Sequence, residues 1–301
     1  MGQHTIASAV RIEGKGLHSG CPVVMELSPA PEDTGVVFYR RDHPEFPPLK
    51  ARASSVVNTE RCTILGNSHF TVSTVEHLLA ACCGSGIDNL AIHIDAGEVP
   101  VLDGSALPFC NVLLKAGRCT QKKDRRSARL RKPFWIARGE SLIAALPSDT
   151  LRFTVLIDYE HPLVGVQVFE YTLAQETFLS EVAPARTFGL WEEVKILLEK
   201  NLARGGDLEN ALVIMPEGYS SPLRLPLEPV RHKCLDLIGD YFLAGAAIPL
   251  HIVSIRAGHA LNAELVKYLE SLEVIENGGK GDKKDTASPV PVSHGGQDCR
   301  S

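Results

Sequence analysis

Hydrophobic positions alternate with polar ones near the start of the chain and recur at helical spacing farther along. Residues 23–27 alternate, and residues 36–39 form an apolar run after several turn residues, so both segments are predicted strands. From Ser73 to Gly84 apolar residues recur every three or four positions, which predicts a helix capped by Ser73 or Thr74. The chain is therefore expected to begin with sheet and continue with helix.

The second half of the chain repeats the plan of the first. After the first helix the pattern predicts a strand at 89–94 and a helix that ends near Gly117. The corresponding elements of the second half are a helix at 230–244, a strand at 251–255 and a helix from Asn262. The separation of His77 from His232 equals, to within one residue, that of Gly104 from Gly258.

This repetition predicts an α+β fold of two similar domains, each a small β-sheet packed with helices. In such a duplicated unit, equivalent helices face each other across an internal pseudo-twofold axis. Residues near the starts of these helices would then share one site in the cleft between the domains.

A change of composition suggests where the domains meet. Residues 121–132 carry seven basic side chains and one acidic one but no aromatic residue, which is typical of a solvated linker and not of a nucleic-acid site. We therefore expect an N-terminal domain at 1–124 and a C-terminal domain at 125–276. Residues 277–301 are rich in Gly, Lys, Asp and Ser, which predicts a disordered tail.

Charge and cysteine content exclude several classes of protein. The 301 residues carry 31 basic and 36 acidic side chains, a net charge of −5, so no overall positive field favours nucleic acid or an anionic membrane. The eight cysteines form no C-x-x-C pair, the start resembles no signal peptide, and no apolar stretch reaches the roughly 18 residues of a membrane span. We expect a cytoplasmic monomer with reduced thiols, no stable membrane insertion and a small-molecule partner.

A histidine and a carboxylate lie one helical turn apart in the predicted helix at 230–244. His232 and Asp236 are four positions apart, so both side chains leave the same helix face and could bind one metal ion such as zinc. Under the duplication, His77 is the natural third ligand, and Glu76 beside it could accept a proton from an activated water. Taken alone, a pair such as His232 and Asp236 is more often a surface or helix-capping pair, and the neighbouring Glu76 and His77 are what strengthen the metal interpretation.

Other catalytic signatures do not occur in the sequence. It lacks H-E-x-x-H and H-x-x-E-H of zinc proteases, P-C-x-x-C of zinc deaminases and G-x-S-x-G of α/β-hydrolases. The glycine-rich residues 14–20 depart from the dinucleotide-binding pattern, so a tight β-turn is the better interpretation.

Four motifs in a fixed order carry a family resemblance. They are S-T-V-E-H-L at 73–78, A-R-T-F-G at 185–189, V-R-H-K-C-L-D at 230–236 and G-H-A-L-N at 258–262. With them the chain resembles the UDP-3-O-acyl-N-acetylglucosamine deacetylases of lipid A biosynthesis. The resemblance implies a zinc-dependent amidase that removes acetate from a nucleotide sugar carrying an acyl chain, the committed step toward lipid A in Gram-negative bacteria.

The resemblance also implies roles for individual residues. His77, His232 and Asp236 would bind zinc, and Glu76 would act as the general base toward a metal-bound water. The remaining roles would fall to His259 as acid or oxyanion stabiliser, Asp240 as its orienting carboxylate, Thr187 as an oxyanion donor and Lys233 as a contact to substrate phosphate.

Five further residues are candidate substrate contacts: His18, Phe188, Leu190, Val194 and Arg256. Phe188 and Arg256 would meet the UDP group by stacking and charge. Leu190 and Val194 belong to an insert at 190–213 that corresponds to an acyl-chain passage in the family. Each of these residues could instead serve packing or face solvent, and the insert could be an ordinary amphipathic helix.

Two other functions fit the same residues. A related zinc amidase acting on a different acylated amino sugar would keep the metal residues and differ in the insert. A non-catalytic zinc-stabilised binding protein would have four protein ligands and no base, which Glu76 and His259 argue against. Imidazole and carboxylate ligands also suit Fe²⁺. Cys62 is expected to be an inert core residue and not a ligand.

Overall fold

The structure is a computed structural model that describes residues 2–199, 204–272 and 274–275. The tail predicted at 277–301 lies outside these described residues. Within them, no helix combines the length and the apolar character needed to cross a membrane. The cysteines in the described ranges are free thiols.

In its first half, the described chain is mostly short strands around two helices. In chain order the elements are β1 (Gly2–Ile6), β2 (Val10–Lys15), β3 (Pro22–Pro29), β4 (Val36–Arg40), β5 (Leu49–Lys50), a 3₁₀ turn (Ala53–Ser55), β6 (Val56–Asn58), β7 (Ile64–Gly66), β8 (Thr71–Val72), α1 (Glu76–Ser85), β9 (Leu90–Ile94), α2 (Leu107–Ala116) and β10 (Arg118–Asp124). Along β3, Val23, Met25 and Leu27 are buried at every second position, as the period of a strand requires.

The second half has longer strands and more helix. Its elements are β11 (Ser127–Ala128), β12 (Phe134–Arg138), β13 (Ser141–Pro147), β14 (Arg152–Tyr159), β15 (Gly165–Thr172), α3 (Gln175–Glu181), β16 (Phe188–Leu190), α4 (Trp191–Glu199), β17 (Leu212–Met215), β18 (Gly218–Tyr219), α5 (Glu228–Phe242), β19 (Leu250–Ile255), α6 (His259–Glu270) and β20 (Val274–Ile275).

Two five-stranded sheets have the same topology, which confirms the predicted fold of two similar α+β units. Their strand orders are β2-β3-β9-β4-β5 and β12-β13-β19-β14-β15. In each sheet the central strand pairs antiparallel on one side and parallel on the other, through β9 with β3 and β4, and through β19 with β13 and β14. Helices α1 and α5 precede the equivalent central strands, so they are the equivalent helices of the two halves.

Helices α1 and α5 pack directly against each other at a glycine. A Cβ atom on Gly239 would lie only 2.0 Å from the backbone oxygen of Glu76. Because Gly239 has no side chain, the two helix backbones can touch at Glu76. A continuous apolar core extends from this contact into both halves, for example through Leu78 and Leu235.

The predicted caps of α1 are wrong. No side chain caps this helix, and its N-cap residue is Val75. Thr74 has a left-handed backbone conformation (φ 59°), and its hydroxyl donates a hydrogen bond to Glu98 Oε1 at 3.1 Å instead. The hydroxyl of Thr74 is therefore bound to a carboxylate that is distant in the chain, and it does not cap the helix.

Two further elements differ from the predictions. Helix α6 begins at His259 and not at Asn262, because the backbone N–H of Asn262 already donates to Gly258 O at 3.1 Å. The basic residues 121–132 are only partly linker, since β10 pairs with β1 and β11 pairs with β20. The basic side chains of β10 are mostly exposed, which explains why a strand had the composition of a solvated segment.

The insert predicted at 190–213 is more than a helix. In the described part it contributes α4 and joins a three-stranded sheet of order β16-β17-β18. Parallel pairing of β16 with β17 places Phe188 beside Leu212. This small sheet positions one wall of the site described next.

Candidate functional site

Three buried side chains from two helices converge beside the contact between α1 and α5. His77 lies in the first turn of α1, and His232 and Asp236 lie one turn apart on α5. Asp236 Oδ1 is 3.6 Å from His77 Nε2 and 3.3 Å from His232 Nε2. One potential ligand atom from each residue lies within 4.8 Å of the others, so the cluster could hold a metal ion.

The protonation of this cluster suits metal binding. Burial lowers the pKa of His232 to about 4, so the imidazole is neutral at pH 7. Its Nδ1 lies 3.1 Å from the backbone oxygen of Ala185, and donation there leaves Nε2 free to bind. Burial alone would raise the pKa of Asp236, but neighbouring cationic groups, including the Lys233 ammonium 3.0 Å from Oδ2, hold it well below its ordinary range.

Asp236 Oδ1 has an unused capacity to bind. This buried carboxylate oxygen has no hydrogen-bond partner among the described residues. A buried acceptor without a partner costs about 1–3 kcal/mol, and more when it is charged. Because the same oxygen faces Nε2 of both histidines, a cation placed between these three atoms would satisfy it. The residues present therefore fit a metal ion.

Glu76 occupies the position next to His77 at the start of α1. Its side chain is buried, and burial raises its pKa above the ordinary value. Glu76 Oε2 accepts a hydrogen bond from the backbone N–H of Thr63 at 3.1 Å. Ligand atoms of Glu76, Asp236 and His259 also lie within 4.8 Å of one another.

His259 is held by a carboxylate on α5. Its Nδ1 is 2.9 Å from Asp240 Oδ2, and its Nε2 is 4.0 Å from Asp236 Oδ2. Burial alone would lower the pKa of His259, but Asp240 outweighs it and raises that pKa to about 9. His259 therefore carries a proton at neutral pH and aims Nε2 toward the metal cluster.

Asp240 is itself fixed by two further donors. The Thr63 hydroxyl donates to Asp240 Oδ1 at 2.5 Å, and Asn262 Nδ2 donates to Oδ2 at 2.9 Å. Thr63 thus holds Glu76 through its backbone and Asp240 through its side chain. No sequence pattern pointed to Thr63, whose partner Asp240 is 177 residues away. Asn262 belongs to the G-H-A-L-N motif, but its contact with Asp240 was not predicted.

A cavity of about 450 Å³ opens over these residues. It is lined by most of the side chains singled out in the sequence, namely His18, Glu76, His77, Thr187, Phe188, Leu190, Val194, His232, Lys233, Asp236 and His259. Asp240 does not line the cavity and lies buried behind His259. The cavity is large enough for a drug-sized ligand.

The structure does not bring Arg256 to this cavity wall. Its guanidinium forms ion pairs with Glu140 at 2.8 Å and with Asp158 at 3.2 Å. Cys62 is close to Glu76 but buried, and burial raises the pKa of its thiol to about 12. The thiol is therefore protonated at neutral pH, and it is not part of a metal-binding cluster of the described residues.

Thr187, Phe188 and Lys233 also line the cavity. The backbone N–H of Thr187 donates to Gly104 O at 2.7 Å, which fixes the chain just before β16. Gly104 has φ of +80°, and a Cβ atom there would lie 1.9 Å from the backbone oxygen of Asn210. Lys233 Nζ lies 5.7 Å from the centre of the Phe188 ring, so an ammonium and an aromatic ring stand together at the cavity wall.

The predicted turn near Gly16 is present as a hairpin between β2 and β3, and a carboxylate orders it. Glu98 accepts hydrogen bonds from the backbone N–H groups of His18 at 2.8 Å and Ser19 at 2.9 Å. Because it also binds Thr74, Glu98 links the loop that carries His18 to the start of α1. No sequence signal pointed to Glu98, which is 80 residues from His18.

Comparison with known proteins gives one consistent family. A family model described as UDP-3-O-acyl N-acetylglycosamine deacetylase matches residues 3–271. The similar UDP-3-O-acyl-N-acetylglucosamine deacetylase of Syntrophotalea carbinolica is 40% identical over 282 residues, which cover 92% of this chain and 91% of the relative. Proteins with the same name from Trichormus variabilis and Myxococcus xanthus are each 40% identical, covering 90% and 89% of this chain and 99% and 86% of the relatives.

Proposed function

The chain belongs to the UDP-3-O-acyl N-acetylglycosamine deacetylase family, and from this premise we propose that it hydrolyses the acetamide of UDP-3-O-acyl-N-acetylglucosamine and releases acetate in lipid A biosynthesis. The observation that carries the proposal is the buried cluster of His77, His232 and Asp236 beside Glu76 and His259 at the bottom of a cavity. A deacetylase needs a metal site, a base and an acid within reach of one bond, and these groups are the ones assembled here.

We propose that His77, His232 and Asp236 hold a zinc ion. Two imidazoles and one carboxylate are a donor set typical of catalytic zinc, which keeps a further position open. When bound, zinc supplies a Lewis acid that polarises the substrate carbonyl and lowers the pKa of water. The same donors suit Fe²⁺, so metal analysis of the protein from its own cells decides between the two ions.

Glu76 is the proposed general base and His259 the proposed general acid. Glu76 Oε2 is anchored by Thr63, and its raised pKa brings the carboxylate closer to the range in which a base works at neutral pH. His259, protonated through Asp240, can donate its Nε2 proton to the departing amine. The two groups thus start the reaction in opposite protonation states, as acid and base must.

The remaining contacts follow from the cavity walls. The Thr187 hydroxyl is proposed to donate to the oxyanion, and Lys233 to meet a substrate phosphate. Phe188, Leu190 and Val194 supply apolar surface that suits an acyl chain. His18 also lines the cavity, and its loop is ordered by Glu98.

Metal content tests the ligand assignment. We expect about one zinc ion per chain in the purified protein, as one three-ligand site implies, and loss of that metal in His77→Ala and Asp236→Ala. His43→Ala is the matched control, since His43 is exposed and forms only contacts with nearby acidic and aromatic side chains. Retention of full metal by both ligand variants would refute the assignment.

A rate assay tests the reaction. Glu76→Gln should bind metal yet release acetate from UDP-3-O-acyl-N-acetylglucosamine at least about 10²-fold more slowly. Substrates with several acyl lengths would show how deep an acyl chain reaches. If metal-loaded wild type releases no acetate from any of them, the deacetylase proposal fails. Acetate release from another acylated amino sugar would favour a related amidase, and release from none a binding protein.

A further inference from the structure

A second cavity lies where the two halves meet, at the C-terminal ends of α1 and α5. Its volume is about 140 Å³, and Cys83 and Gly86 from the end of α1 and Phe242 and Gly245 from the end of α5 are among its lining residues. None of its described lining residues also lines the cavity over the proposed catalytic residues, so this cavity is separate from the site described above. The proposed function makes no use of it.

Two arginines line this cavity without a protein partner. Arg52 and Arg126 form no ion pair or side-chain hydrogen bond with any residue that the structure describes. Burial lowers the pKa of Arg52, and the positive charge of nearby Arg126 lowers it further. Two like charges therefore face the same space, and they are only partly offset, by Glu270 near Arg52 and by Asp33 near Arg126.

The carboxylates around the cavity are engaged elsewhere. Asp88 binds Arg125 Nε at 2.6 Å. Asp33 accepts hydrogen bonds from Lys123 Nζ at 2.6 Å and Gln3 Nε2 at 2.7 Å.

The third carboxylate, Glu270, accepts hydrogen bonds from the backbone N–H of Ser54 at 2.7 Å and from its hydroxyl at 3.2 Å. With these pairs formed, Glu270 and Asp33 still lie near Arg52 and Arg126 but form no ion pair with them among the described residues.

In the described part of the chain, the backbone oxygens at the helix ends accept no hydrogen bond from the guanidinium groups of Arg52 and Arg126. At the end of α1, backbone N–H groups bind the oxygens of Cys82 and Cys83, and Arg125 binds Gly86 O at 3.2 Å. At the end of α5, the N–H of Ala53 binds Leu243 O at 3.0 Å.

Gly245 leaves room for a guanidinium at that end, since a Cβ atom there would lie 2.2 Å from Arg52 Nη1. The guanidinium of Arg52 is thus packed against the backbone, and no carboxylate of the described residues forms an ion pair with it.

We propose that this cavity binds a phosphate group between Arg52 and Arg126, either as free phosphate or as the phosphate of a small monoester. Guanidinium groups bind phosphate oxygens through paired, charge-assisted hydrogen bonds, and a dianion would relieve the repulsion between the two arginines. The volume is close to that of a protein cavity known to admit a benzene molecule, so a tetrahedral oxyanion fits. Bound there, the ligand joins residues of both halves of the chain.

Thermal unfolding of the metal-loaded, full-length protein tests the proposal. Inorganic phosphate and glycerol 3-phosphate are titrated separately at constant ionic strength, with chloride as the reference anion. We expect a saturable rise in Tm of roughly 5 °C at about 100-fold above Kd. In Arg52→Ala and Arg126→Ala the affinity should fall at least about tenfold.

Arg129→Ala is the matched control, because Arg129 belongs to the same basic segment and is exposed like Arg126, but it pairs with Asp149 and does not line the cavity. Arg52→Lys provides a second variant should Arg52→Ala fail to fold, and it should retain part of the stabilisation. The site is supported if phosphate no longer stabilises the Arg52 and Arg126 variants but still stabilises Arg129→Ala. The probe that saturates at lower concentration shows whether the site prefers free phosphate or a phosphate monoester. No saturable effect in wild type, or an unchanged effect in the Arg126 variant, would overturn it.

Discussion

Replacement of Gly239 by alanine tests whether the contact between α1 and α5 sets the metal site. The added Cβ atom would lie 2.0 Å from Glu76 O, 2.7 Å from Glu76 C and 2.9 Å from Glu76 Cα. All three are backbone atoms, so no side-chain rotation relieves the clash. The helices must separate by about 1.4 Å to reach the 3.4 Å of ordinary contact.

This displacement acts on both stability and metal affinity. Overpacking of this kind costs about 1–3 kcal/mol, and the gain in helix propensity from glycine to alanine offsets about 1 kcal/mol. Since His77 follows Glu76 on α1 and Asp236 precedes Gly239 on α5, the same movement spreads the proposed ligands apart. A productive site tolerates only about 0.5 Å, so we expect metal affinity to fall at least tenfold and the rate about 10²-fold.

Two other glycines separate these effects. A Cβ atom on Gly84, near the end of α1, would lie 2.1 Å from the buried Phe178 ring, so Gly84→Ala should destabilise the protein without moving the ligands. Gly218→Ala is the neutral control, because its Cβ atom would meet nothing within 4 Å. Urea unfolding measures stability, competition with a chelator measures metal affinity, and acetate release measures the rate.

The expected pattern is specific to the helix contact. Gly239→Ala should lose stability, metal and rate together, whereas Gly84→Ala should lose stability alone. Wild-type metal affinity in Gly239→Ala would refute the reasoning, because the clash would then have been absorbed without moving the ligands. An equal loss of metal in Gly84→Ala would show that general destabilisation explains the effect.

Three further predictions concern residues around the two sites. Thr63→Val should lower kcat roughly tenfold with little change in KM, and Thr63→Ser, which keeps the hydroxyl, should restore kcat. Equal effects of the two variants would contradict the positioning of Asp240 by that hydroxyl. Because His259 must be protonated to act as an acid, kcat should fall as the pH rises through about 9. Asp240→Asn should move that fall to lower pH, because Asp240 raises the pKa of His259. An unchanged pH profile in Asp240→Asn would contradict this role of Asp240. Glu228→Gln should destabilise the protein by about 3–5 kcal/mol in urea unfolding, since it leaves the buried Arg186 guanidinium uncompensated, whereas the exposed Glu209→Gln should not.

Much of the architecture could be predicted from the sequence because its signals are local. The spacing of apolar residues located α1, β9 and β19, and the repetition of motifs indicated the two matching units. The face shared by His232 and Asp236 follows from the helical period alone. The prediction that His77 joins them rested on the duplication alone. Equivalent helices of a duplicated unit are expected to meet near its pseudo-twofold axis.

The local environment of each site residue depended on segments that are distant in the chain. Burial lowers the pKa of His232, whereas Asp240 raises that of His259. The motifs of the family resemblance implied different roles for these two histidines, but helical period and spacing alone do not give their protonation states. Thr74 was expected to cap α1 but binds Glu98, and Arg256 was expected at the substrate but pairs with Glu140.

The sequence by itself therefore determined which elements form and which residue types could share a metal. The tertiary structure decided which of those side chains meet, which are charged and which additional residues, Thr63 and Glu98 among them, hold them in place. The reason is physical: periodicity and turn chemistry act over a few residues. Burial, hydrogen bonding and charge act between any groups that folding brings together, and their strength depends on distances that exist only in the folded chain.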